Sequence, residues 1–436
     1  MKQYDFYKDS GVEWIGEVPS HWEVVHLKRI LREHMQYGAN EPAESDNILY
    51  PRYIRITDIT ENSELRPETF KSLEPSKAKD YLLDKGDVLF ARSGATVGKT
   101  FLFNADIKAC YAGYLIKASC NRRKMLPEYL YYYTLSGAYE CWKNSVFVQS
   151  TIQNIGADKY QLMYIPVPSI NEQNAMLSYL NKKCSEINKV ISAQQKRITL
   201  LQELKQSVIT HAVTKGLNPN VEMKDSGVEW IGKIPASWDV VHLKRILRER
   251  MQYGANEPAE SDDTTYPRYI RITDITANGE LRPETFKSLE PSKAKDYLLD
   301  KGDVLFARSG ATVGKTFLFN ADIKACYAGY LIKASCDKRR MLPEYLYYYT
   351  QSGAYECWKN SVFIQSTIQN IGADKYQMMY IPVPSKDEQK QIVEYTMRKS
   401  QIFDAAISKA QHQVELLQEY KQSLITEVVT GKRKIS

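Results

Sequence analysis

Between Asn171 and Thr214 apolar side chains recur three and four residues apart: Leu177, Leu180, Cys184, Ile187, Ile191, Ile198, Leu201 and Val208. Gln194 and Lys205 interrupt the seam. This is a heptad stripe on an otherwise polar helix. A second stripe runs through Val393, Phe403, Ile407, Ala410, Val414, Leu417 and Leu424. Forty or so helical residues extend roughly 60 Å. A polar helix with one apolar stripe is marginal alone, so two in one chain predict a pair. Antiparallel pairing sends the second helix back along the first and makes a spacer with a globular domain at each end.

Ahead of each helix the pattern is mixed. Tyr53–Ile59 alternates apolar and polar, as a half-buried strand does. Gly86–Phe90, Thr100–Phe103 and Tyr111–Ala118 are further strand candidates. One helix is expected from Pro127 through EYLYYYTLSGAYECW, with Tyr129, Tyr132 and Tyr133 on a core-facing side. Pro166 and Pro168 end the domain. The whole arrangement is then written again. Asp9–Gly16 (DSGVEWIG) returns 216 residues later as Asp225–Gly232, Gly86–Thr100 as Gly302–Thr316, and Gln149–Gly156 as Gln365–Gly372. From Leu27 to Pro168 about a dozen positions differ between the copies, among them His34/Arg250, Asn47/Asp263, Ile48/Thr264, Leu49/Thr265, Glu61/Ala277 and Leu135/Gln351. The helices differ far more. The expected fold is α+β: two mixed, strand-rich domains (1–170 and 216–386) separated by an antiparallel two-helix coiled-coil spacer (171–215 and 387–436), with pseudo-two-fold symmetry. Gly216–Met223 is the linker between copies.

Composition adds little to this. Of 436 residues, 43% are hydrophobic and 25% charged, as in a soluble globular protein. No apolar run has membrane-spanning length, and MKQYDFYKDS lacks a signal-peptide core. Seven scattered cysteines without a CxxC pair suit a reducing cytoplasm and mostly buried thiols. The net charge of +7 is unevenly spread: residues 1–170 hold 21 basic and 21 acidic side chains, whereas 171–216 hold seven lysines and arginines against three glutamates. A nucleic-acid partner therefore requires basic residues gathered on one face. Gly94–Thr100 (GATVGKT) is one residue short of a phosphate-binding loop. Histidines vary between copies (His34/Arg250, His21/Ser237), and neither zinc spacing nor an Asn-Pro-Pro-aromatic or Asp-Pro-Pro-Tyr methyltransferase motif occurs. A catalytic centre in the chain is disfavoured.

Taken in order, Asp9–Ile30, the GDVLFARSGATVGKT block, Ile165–Gln173 (IPVPSINEQ) with Ile381–Gln389 (IPVPSKDEQ), and Leu200–Thr210 with Leu416–Thr426 resemble the specificity subunit of type I restriction–modification systems over essentially the whole length. The resemblance implies two target-recognition domains, each reading half of a split double-stranded DNA site. It implies no catalysis by the chain itself. Two modification subunits would bring S-adenosylmethionine and methylate adenine; restriction subunits would bring ATP- and magnesium-dependent translocation and cleavage. Modification subunits would dock on the helices. Family members usually carry two different recognition domains. Two nearly equal ones imply a palindromic, hyphenated site. The other reading is a non-catalytic scaffold that pairs two copies of a protein partner.

Candidate DNA contacts fall into three groups, each present twice. Arg92, Ser93, Thr96 and Lys99 lie on the GATVGK turn, with Arg308, Ser309, Thr312 and Lys315 as counterparts. Gln149, Ser150, Thr151, Gln153 and Asn154 match Gln365, Ser366, Thr367, Gln369 and Asn370; such amides and hydroxyls bond adenine or phosphate, but also cap helices. Arg122, Arg123 and Lys124 become Lys338, Arg339 and Arg340, keeping charge while changing identity, which suits phosphate contact and equally a solvated loop. Arg52 and Arg268 complete the set.

Overall fold

A computed structural model describes residues 3–60, 64–148, 154–276, 279–364 and 370–435. The chain divides into two compact units: Met1–Ala193 with Gln413–Ser436, and Gln194–His412.

In the first unit the strands are β1 (Tyr7–Asp9), β2 (Glu17–Pro19), β3 (Glu23–His26), β4 (Gln36–Tyr37), β5 (Arg52–Ile54), β6 (Val88–Ala91), β7 (Thr100–Leu102), β8 (Ala109–Tyr111), β9 (Leu115–Ala118) and β10 (Tyr164–Val167). The helices are α1 (Pro75–Ala78), α2 (Pro127–Tyr133), α3 (Gly137–Val148), α4 (Ala157–Gln161) and, as far as Ala193, the first part of α5 (Ile170–Lys215). An antiparallel sheet runs in the order β4-β9-β6-β7, β5 pairs parallel with β8, and β3 closes against β10. The run Val-Leu-Phe-Ala of β6 is buried throughout. Its alternate residues serve two clusters, as the two-residue period of a strand requires. Val88 and Phe90 face Tyr129, Tyr133 and Tyr160. Leu89 and Ala91 face Ile54, Phe101 and Tyr111. Element by element, the second unit repeats this plan from Met223–Asp225 to Tyr380–Val383, followed by the helix Lys386–Val429.

Several expectations shift in detail. Tyr53–Ile59 is strand only as far as Ile54; Ile56–Asp58 turns as a 3-10 helix, held by the Arg55–Asp58 ion pair at 2.7 Å. Tyr111–Ala118 is two strands around a turn. The tyrosine helix breaks at Thr134–Ser136, where both hydroxyls bond the carbonyl three residues back and compete with the helix ladder. Tyr129 and Tyr133 are fully buried in the core, while Tyr132 is only partly buried and hydrogen-bonds Asn181. Cys141 and Cys357 are exposed; the other five thiols are buried.

The repeated motifs at the helix ends have local physical roles. Ser169 and Glu172 of VPSINEQ form a capping box: Glu172 accepts from the Ser169 backbone at 3.1 Å, and Ser169 Oγ from the Glu172 backbone at 3.3 Å. Glu172 also accepts from Trp22 and pairs with His21. Gln173, completely buried, bonds the Leu126 amide and the Lys124 and Pro168 carbonyls. Ser385, Glu388, Gln389 and Trp238 repeat the arrangement. At the other end, Thr426 of QSLIT accepts from the Gly137 amide, and Tyr129 donates to the Val429 carbonyl at 2.9 Å. Thr210 and Tyr345 do the same for Gly353 and Val213.

Each unit holds part of both long helices, and within each unit the segments run antiparallel. Lys421 donates to Asn188 at 2.9 Å in the first unit, and Lys205 pairs with Asp404 at 2.6 Å in the second. These are the same two positions after the 216-residue offset. The heptad residues occupy the contact, with Leu180, Ala410 and Leu424 almost fully buried.

Candidate nucleic-acid interface

The GATVGK turn leaves the C-terminal end of β6. Ser93 precedes a 3-10 turn at Gly94–Thr96, where Gly94 takes φ +76°, a conformation open to glycine. The chain then returns into β7. Arg92 is pinned on both sides: its amide donates to Tyr114 at 3.0 Å, and its carbonyl accepts from Ile155 at 2.8 Å. Ser93 bridges to Asn154, which brings the end of the Gln149–Asn154 segment beside this turn. Gln149, Ser150, Thr151 and Gln153, with Gln365, Ser366, Thr367 and Gln369, lie outside the described residues. Asn370 bridges to Ser309 as Asn154 does to Ser93.

The guanidinium of Arg92 lies 4.9 Å from the ring centroid of Tyr37, and that of Arg308 lies 5.0 Å from Tyr253. Tyr37 is itself fixed, its hydroxyl accepting from the Ala157 amide at 3.0 Å. Gly38 follows it and packs on the carbonyls of Tyr111 and Ala112 where no Cβ fits. Tyr114, in the turn between β8 and β9, is 67% exposed beside Arg92. Neither Tyr37 nor Tyr114 was marked by sequence pattern; an isolated aromatic beside a glycine gives no periodic signal. Thr96 and Thr312 are half-buried on the turn. Lys99 is exposed and lines a 470 Å³ cleft with Ile56, Thr60, Lys143 and Gln422. Lys315 lines its 390 Å³ counterpart.

Arg122, Arg123 and Lys124 sit elsewhere. They follow β9 at the N-terminal end of β6, the end opposite to the one Arg92 leaves. Arg122 donates to the Lys85 carbonyl and Lys124 to that of Arg29. Lys338 and Arg340 bond the equivalent carbonyls of Lys301 and Arg245, so the exchange of identity keeps the intradomain contact. Arg123 is exposed, and Arg339 pairs with Asp337 at 3.2 Å. Nearby, buried Asp87 accepts from Ser119 at 2.6 Å and from the Asp84 amide; burial raises its carboxyl above the usual range despite both bonds. It locks β6 to β9.

Arg52 and Arg268 face inward. Each donates to a backbone carbonyl (Arg66, Arg282) and lies over a phenylalanine (Phe70, Phe286), and Arg268 is only 9% exposed. The candidates thus form two separate surfaces and one interior pair. Among the described residues no group of His, Cys, Asp and Glu could hold a metal ion, and no helix is long and apolar enough to cross a membrane.

A family model described as the type I restriction modification DNA specificity domain matches residues 19–199 and again 235–415. The putative type I restriction enzyme MjaX specificity subunit of Methanocaldococcus jannaschii is 24% identical, covering 99% of this chain and 98% of its own. The MjaVIII specificity subunit of the same organism is 21% identical over 99% and 97%. A chain solved in a study of complex assembly and conformational transition of the type I R-M system superposes with a TM-score of 0.69 at 17% identity, covering 94% of this chain and 98% of that one.

Proposed function

We propose, from the premise that this chain belongs to the type I restriction modification DNA specificity family, that it is the sequence-reading subunit of a DNA adenine methyltransferase. Each unit reads one half of a split double-stranded site. The observation that carries this is the family match falling once on each unit, combined with a reading end that is the same in both. Residues around Arg92 and Arg308 are identical between copies and arranged alike, whereas the helices have diverged. Two equal readers take two equal half-sites, and the two-fold of B-DNA lets such half-sites lie on opposite strands, so the site is a hyphenated inverted repeat.

Methyltransferase subunits dock along the helices. Leu200 and Leu204 are 63% and 51% exposed in one unit, and their counterparts Leu416 and Tyr420 are 50% and 52% exposed in the other. Exposed apolar pairs at matched positions suit two copies of one partner. S-adenosylmethionine, ATP and magnesium belong to the partner subunits. The test is a binding selection over random duplexes with the chain and its co-expressed methyltransferase subunits. One enriched bipartite motif is expected; sequence-indifferent binding would leave a scaffold that pairs two partner proteins.

A further inference from the structure

We infer that Arg92 and Arg308 are guanine readers, each held as a rigid fork to take one G·C pair in its half-site. This rests on the reading of the two units as DNA readers and names what their shared end recognises.

Most of the other arginines discussed above spend their charge inside the domain: Arg55 on Asp58, Arg52 on the Arg66 carbonyl, Arg122 on the Lys85 carbonyl. Arg92 has no hydrogen-bond acceptor for its side chain among the described residues. Its Nε is buried and without a partner, and Arg308 repeats this. The inner edge is therefore closed off, and the two terminal amino groups are the ones left to bind. The guanidinium lies over a tyrosine ring that is itself hydrogen-bonded in place, and the backbone is tied on both sides. Holding the side chain in advance removes much of the ordering cost that a free arginine would carry on binding.

A planar pair of N–H donors matches two acceptors in one plane. In DNA those are two phosphate oxygens, or O6 and N7 of guanine in the major groove. The neighbours favour the base. Ser93 and Tyr114, at the Arg92 backbone, are neutral, and Lys99, the cation on the same turn, lines the cleft with Ile56 and Lys143. The candidate basic cluster lies at the far end of β6, joined to other carbonyls. A phosphate contact needs charge and tolerates freedom; a base edge needs direction.

The test uses the complete chain with its methyltransferase subunits and the bipartite motif selected by the wild type. Duplexes carrying 7-deazaguanine at one position lose only the N7 acceptor. At one guanine per half-site this change is expected to weaken wild-type binding about tenfold or more. Arg92→Gln should be insensitive to it in one half-site and still sensitive in the other, with Arg308→Gln giving the converse. Arg92→Lys keeps a cation that can still donate to guanine N7 but loses the planar fork, so the effect of 7-deazaguanine should be smaller than in the wild type and larger than in Arg92→Gln. Wild-type binding indifferent to 7-deazaguanine everywhere would overturn the inference, and so would an Arg92→Gln loss spread evenly over all sequences. Absence of any enriched motif in the wild type would instead overturn the DNA-reading function itself.

Discussion

Glu172 shows how one carboxylate holds together parts of the chain 150 residues apart. Burial alone would raise its pKa, but hydrogen bonds from His21, Ser169 and Trp22 outweigh this and bring it to about 2. Its folded value lies below the unfolded value of about 4.5. The stabilisation is therefore fully present above pH 4.5 and is lost as pH falls toward 2. Glu172→Gln should cost about 1–2 kcal/mol at neutral pH and remove that part of the acid dependence, as read by denaturant melts at several pH values. Glu388→Gln should cost less, because Ser237 stands where His21 does and one partner is missing. Tyr129→Phe leaves the buried Val429 carbonyl without its donor and should cost about 1–2 kcal/mol.

At the scale of elements, the long helices were legible because a heptad stripe persists over many turns. Short strands were legible where apolar runs are continuous, as in Val88–Ala91, and misplaced where a side-chain hydrogen bond decides the end. Thr134 and Ser136 break a helix that periodicity alone would continue. The GATVGK turn could be found as a candidate from its repetition and composition. Its tyrosine support could not, since Tyr37 reaches Arg92 only through the pairing of β4 with β9. The same holds for Arg52, whose charge suggested a surface and whose strand places it inward. The interhelical pairs offer a test internal to the chain. Asn188 and Asp404 occupy matched positions, each facing a lysine. Asn188→Asp should stabilise the first unit by about 0.5–1 kcal/mol, and Asp404→Asn should weaken the second by as much. Both effects should shrink in high salt, measured by chemical denaturation with hydrogen exchange to locate the change.

For the whole molecule, duplication is the organising fact. Under the proposed function, two equal units take two equal partners as well as two equal half-sites. Replacing Leu200 and Leu204 together by glutamate should remove one methyltransferase subunit and leave one bound, seen as a stepwise mass loss in native mass spectrometry; replacing Leu416 and Tyr420 as well should remove both. Sequence identity between the reading ends bears on the central proposal most directly, and genome-wide mapping of methylated adenine in cells expressing the chain with its methyltransferase subunits tests it. A bipartite motif whose two halves are the same sequence on opposite strands is expected, and an asymmetric motif, or methylation without a motif, would contradict it.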